Sequence, residues 1–163
     1  MPGIAIVIIA VIVVIAVIAG KKSYDTSKRL AGEGKISARR SAFFEDKEIF
    51  ETSASYEAIC QKIKETNLAD INATIQFDFE GGKTIFFQSA GMWNAVLEQC
   101  GQKDGKNLFQ FYFPVWKTGR YGVVNTVTMN VLITAIEKII LSLDPSTTVE
   151  THTMQVKTKS KIF

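Results

Sequence analysis

The stretch ATIQFDFEGGKTIFF, residues 73–87, decides the fold class. Ala73, Ile75, Phe77 and Phe79 alternate with Thr74, Gln76, Asp78 and Glu80, the period of two expected of a half-buried strand. Gly81-Gly82 suits a two-residue hairpin turn, which predicts Glu80 opposite Lys83 and Phe77 opposite Phe86. Ile85 and Phe87 then point to the opposite face. A hairpin apolar on both sides needs either a covering helix layer or something else to meet there.

Downstream, the pattern predicts a strand from Met92 to Gln99, a turn between Gly101 and Asn107 built on Asp104-Gly105, and a strand from Leu108 to Val115. That last strand sets Phe109, Phe111, Phe113 and Val115 on one face and Gln110 and Tyr112 on the other, and Pro114 assigns its end to a sheet edge or a bulge. After a loop at Lys117 to Gly122, Met129, Leu132, Ile133, Ile136, Ile139, Ile140 and Leu143 form a helical stripe, stopped by Asp144-Pro145. The β-branched residues from Thr147 to Thr158 predict a final strand with His152, Met154 and Val156 on one face.

Upstream, residues 45–52 read as a strand around Ile49 and Phe50, with Ser53 and Ser55 as candidate helix caps. Tyr56, Ile59, Cys60 and Ile63 then recur at i, i+3, i+4 and i+7, an amphipathic helix of about three turns. The order β-α-β-β-β-β-α-β predicts an α+β domain over residues 43–163, a mostly antiparallel sheet of five or six strands packed on one face against two helices. In topology alone this order resembles the helix-grip arrangement of lipid-carrier domains, which implies a space between a curved sheet and a long late helix.

The first 20 residues differ in kind. From Ile4 to Ala19 the chain is isoleucine, valine and alanine, and all 35 charged side chains (19 basic, 16 acidic) lie after Gly20. Residues 3–20 match the lower half of the length a transmembrane helix needs, so residues 1–20 are expected to form a single-pass anchor of the signal-anchor kind. A cleaved secretory signal is the alternative. No Lys or Arg precedes the run, against that alternative, while the small residues from Ala16 to Gly20 leave cleavage open.

Lys21, Lys22, Lys28, Arg29, Lys35, Arg39 and Arg40 face only Asp25 and Glu33 between residues 21 and 40. Positive residues beside a span stay on the cytoplasmic side, so the domain is expected in the cytoplasm. Residues 21–42 are expected to be a flexible basic linker whose cations serve first as that topology signal, with contact to anionic lipid headgroups as the second reading. Gly32-Glu33-Gly34-Lys35 is not a phosphate-binding loop, because Arg29 and Ile36 stand where that motif needs Gly and Ser or Thr.

Two cysteines and one histidine, Cys60, Cys100 and His152, exclude a disulfide framework and cannot assemble a four-ligand zinc site. No catalytic residue and no cofactor is assigned; a Cys100–His152 nucleophile pair has nothing in the pattern to favour it. Ten of the 17 aromatic residues fall between Phe77 and Trp116, with few basic residues among them, which argues against nucleic-acid binding. Core packing is the default reading of this cluster, since a small sheet needs such side chains in its interior. As the sharper reading, a cavity or docking surface, Phe77, Ile85, Phe86, Phe87, Trp93, Phe109, Phe111, Tyr112 and Trp116 are the candidate partner- or ligand-binding residues.

Two functional expectations follow. The first is a membrane-anchored, non-catalytic interaction domain with a membrane protein or lipid as partner, docking through the face of Ile85 and Phe87 or the edge near Pro114. The alternative is a carrier or sensor of a lipid-like ligand held between the aromatic sheet and the long helix; an enzyme is the least favoured. Ala16 and Gly20 also have the spacing through which membrane helices associate weakly.

Overall fold

The computed structural model describes residues 25–120 and 122–154. The expected anchor, Lys21, Lys22 and Val156 lie outside the described residues. The chain divides between Ser37 and Ala38 into two units. In the first, residues 25–32 are helical (α1), where a flexible linker was expected; Arg29 Nη1 lies 2.6 Å and Lys35 Nζ 3.1 Å from opposite oxygens of Glu33.

The second unit is the α+β domain. Its strands are β1 (Asp46–Thr52), β2 (Ala73–Gln76), β3 (Thr84–Ser89), β4 (Trp93–Lys103), β5 (Lys106–Trp116) and β8 (Thr148–Thr153), in one antiparallel sheet of order β2-β3-β4-β5-β1-β8. A short ribbon of β6 (Thr118–Gly119) and β7 (Gly122–Val123) occupies the expected loop. Helices α2 (Tyr56–Glu65) and α3 (Thr126–Leu143) contact each other and bury Tyr56, Ile59, Cys60 and Ile63 of one and Met129, Leu132, Ile133, Ile136 and Ile140 of the other.

Local chemistry sets the element ends. Ser55 Oγ accepts the Ala58 N–H at 3.2 Å and caps α2. Asp104 and Gly105 both take positive φ, the geometry a two-residue hairpin turn asks for, and join β4 to β5 with Lys103 opposite Lys106. Pro114 falls where the β4–β5 register shifts, so the ladder loses no donor at a paired position. At the end of α3, the Asp144 carboxylate accepts from Ser53 N–H at 2.7 Å, Thr52 Oγ1 at 3.2 Å and Ser146 Oγ at 2.6 Å, pinning the helix to the β1–α2 turn. These donors hold the Asp144 carboxyl well below the usual carboxylate range.

The hairpin that decides the fold class differs from expectation in register. Gln76, not Phe77, stands opposite Phe86, and Ile75 stands opposite Phe87. Residues 77–83 form a wider turn with a 3-10 segment at Phe79–Gly81, and Asp78 and Glu80 take positive φ. The Tyr56 hydroxyl accepts the Asp78 N–H at 3.1 Å and donates to the Thr84 carbonyl at 3.2 Å, while Phe79 stacks on Phe86 at 4.7 Å. A one-residue slip exchanges faces, so this register turns Ile75 toward the helices beside Phe87.

Candidate functional site

The cross-strand register sorts the candidate residues by face. Ile85, Leu97 and Phe111 align in one row beneath the helices, and Phe109 and Phe50 in the next. Ile85, Phe87, Phe109 and Phe111 are fully buried and Trp93 nearly so. Phe87, Phe111, Phe113 and Trp93 meet edge to face at centroid distances from 5.3 to 6.5 Å, and Trp93 Nε1 donates to Thr128 Oγ1 at 3.0 Å. The expectation that the face of Ile85 and Phe87 is an accessible docking surface is therefore corrected: that face is the core, because α2 and α3 cover it.

Four candidates remain half-exposed. Trp116 packs on Phe44 at 5.3 Å, and the Phe77 ring lies 4.7 Å beneath Lys64 Nζ. Phe86 and Tyr112 share the other face of the sheet, where the register aligns Phe86, Val96, Tyr112, Lys47 and His152. Neither α2 nor α3 packs on this face. The Tyr112 hydroxyl donates to Glu98 Oε1 at 3.3 Å, and Gln110 Nε2 donates to the same oxygen. Burial and the Glu98 charge push the Tyr112 hydroxyl pKa up. Near Pro114, Val115 is 55% exposed, so its expected place on the buried face with Phe113 is corrected; the bulge re-aims it.

β8 differs from every other strand of the sheet. All six of its residues are exposed, including Val149, Thr151 and Thr153, which stand opposite Phe50, Glu48 and Asp46 on the helix side. The helical layer stops short of this strand.

Two of the cations the sequence assigned to the membrane surface, Arg39 and Arg40, have partners within the domain. Arg39 Nη1 donates to Glu48 Oε1 at 2.6 Å and its Nη2 to Glu137 Oε2 on α3. Arg40 Nε donates to Asp46 Oδ2 at 2.6 Å, and Thr153 Oγ1 to Asp46 Oδ1 at 3.0 Å. Arg39 is mostly buried and committed to the domain, which corrects its place among the membrane-surface residues; Arg40 pairs with Asp46 while about half of its side chain stays exposed. Glu48 is 2% exposed at the end of the apolar row of Phe111 and Leu97, and its Oε2 and Arg39 Nε have no partner among the described residues. Burial, reinforced by the Glu137 charge, pushes the Glu48 carboxyl up to about 7 against the pull of Arg39. Sequence reasoning missed this cluster, because Ile49 and Phe50 drew attention to hydrophobicity while alternation sets Asp46, Glu48, Phe50 and Thr52 on one side.

The Cys100–His152 pair is not brought together. Cys100 on β4 and His152 on β8 are separated by β5 and β1, roughly 14 Å in strand spacings alone. His152 is exposed, beside Glu150 at 3.3 Å. Cys60 is buried, and burial raises its thiol pKa. Among the described residues no cluster of three or more His, Cys, Asp or Glu could hold a metal ion. A surface cleft of about 650 Å3 beside β2 and β3 is lined by Leu68, Asn72, Thr74, Gln88 and small neighbours, none of them charged. By length and composition α3 could cross a membrane, but its buried stripe packs as a core helix.

Comparison with protein-family models, curated proteins and solved structures finds no match.

Proposed function

We propose that the chain is a single-pass, membrane-anchored, non-catalytic interaction domain working at the cytoplasmic surface of a bilayer. The observation that carries the reading is a sheet that, among the described residues, α2 and α3 cover on one side, and whose terminal strand β8 is exposed on both faces. Main-chain donors and acceptors along such an edge are a ready template for another strand. The uninterrupted apolar run at residues 4–19 supplies the anchor, which confines the domain to the membrane and raises its effective concentration toward a partner there. The carrier alternative would need the space between sheet and α3, and there Phe87, Phe111, Phe113 and Trp93 pack against one another.

The test is fractionation with topology mapping. The full chain is expected to stay in the membrane pellet after alkaline washing, and deletion of residues 1–24 to release it. An impermeant maleimide is expected to label Cys100 only after permeabilisation. A soluble full chain would overturn the anchor, and labelling in intact cells would overturn the cytoplasmic orientation.

A further inference from the structure

We infer that the partner of the β8 edge is a second copy of this chain, paired antiparallel about a two-fold axis through Thr151 to give a continuous twelve-stranded sheet, twice the six of one copy. The inference rests on the proposed interaction role and names its partner.

Among the described residues no strand lies beyond β8, and its outer edge has a definite hydrogen-bonding parity. Met154 N–H donates to the Glu45 carbonyl at 2.9 Å, so Met154 turns its main chain toward the β1 side. By the alternation of a strand, His152, Glu150 and Thr148 do the same, and Val149, Thr151 and Thr153 direct their N–H and C=O groups outward. A partner strand must satisfy these three residues. β8 contains no proline, lysine or bulge, the usual devices that blunt an edge.

Charge selects the register. Centring the axis on Glu150 sets two carboxylates opposite each other, and centring it on His152 sets two imidazoles opposite each other. Centring it on Thr151 places Glu150 of each copy opposite His152 of the other, twice, and pairs Val149 with Thr153 on the helix side. A carboxylate accepts an imidazole N–H across the strands whereas two carboxylates repel, so only this arrangement uses both polar residues favourably. It also opposes outward-directed residues to outward-directed residues, which the ladder requires. On the helix side, the bare β-branched side chains of the two β8 strands then lie side by side between two helical layers.

The experiment uses the full chain in lipid vesicles, with Cys100→Ser as background and single cysteines along β8. Directly paired residues lie about 5.5 Å apart at Cα, within disulfide reach. Thr151→Cys is expected to cross-link to a dimer under mild oxidation, and Val149→Cys only when mixed with Thr153→Cys. His152→Glu is expected to lower the Thr151→Cys dimer on the order of tenfold, and Glu150→His together with His152→Glu to restore it by exchanging the two positions. Cross-linking equally at every position, or a yield untouched by His152→Glu, would overturn the inference. Membrane retention without a register-specific cross-link would overturn the self-pairing alone, whereas recovery of the full chain in the soluble fraction would overturn the tethered reading instead.

Discussion

Replacing Glu48 with Gln isolates the titration of the buried charge cluster. In the folded chain the Glu48 carboxyl is raised to about 7 from an ordinary value near 4.5. A carboxyl whose folded pKa is raised binds its proton more tightly in the folded state, so its contribution is fully present below the unfolded value and is lost as pH rises through the folded one. That rise, from an ordinary value near 4.5 to about 7, corresponds to about 3 kcal/mol, lost between roughly pH 4.5 and pH 7.5. Gln keeps the shape and cannot ionise. Other carboxylates, such as Asp46 and Asp144, have lowered values and pull stability the opposite way in acid, so the informative quantity is the difference between wild type and Glu48→Gln at each pH. Urea denaturation of both full chains in the same detergent, followed by tryptophan fluorescence of Trp93 and Trp116, measures it. The expected difference moves against wild type by about 3 kcal/mol over that interval. Glu137→Gln removes the repulsive neighbour and is expected to shrink the movement. A difference that is flat, or that favours wild type as pH rises, would mean that Arg39 outweighs burial and would refute the reasoning.

The two sheet faces are expected to respond differently to the same substitution. Phe87→Ser empties a fully buried position in the aromatic core and is expected to cost about 3–5 kcal/mol or more, whereas Phe86→Ser on the uncovered face costs far less; thermal unfolding of each variant checks the contrast. The thiols provide a second contrast. Cys100 is exposed and Cys60 buried, so maleimide is expected to modify Cys60 roughly tenfold or more slowly until the domain is unfolded, with mass spectrometry assigning the site.

Much of the fold is legible locally. Alternation finds the strands, the spacing of Tyr56, Ile59, Cys60 and Ile63 finds α2, and Asp104-Gly105 marks the β4–β5 turn, because each signal spans only a few neighbouring residues. The hairpin register was not legible from Gly81-Gly82, since the Tyr56 hydroxyl and the stacking of Phe79 on Phe86 reshape that turn. Aromatic clustering drew attention to the core rather than to a surface. A strand's alternation shows which residues share a face, not which face is covered, and that is why Ile85 and Phe87 read as candidates for binding.

By itself the sequence determined the anchor-like apolar run as an expectation, the α+β class, and the order and approximate bounds of the elements. These depend on periodicity and turn chemistry that a short window contains. Only the tertiary structure decided that Arg39 meets Glu137, 98 positions away, that Glu48 is buried beside them, and that β8 stands at an uncovered edge. Each of these is a pairing of distant segments, settled by the shared packing of sheet and helices rather than by any local pattern.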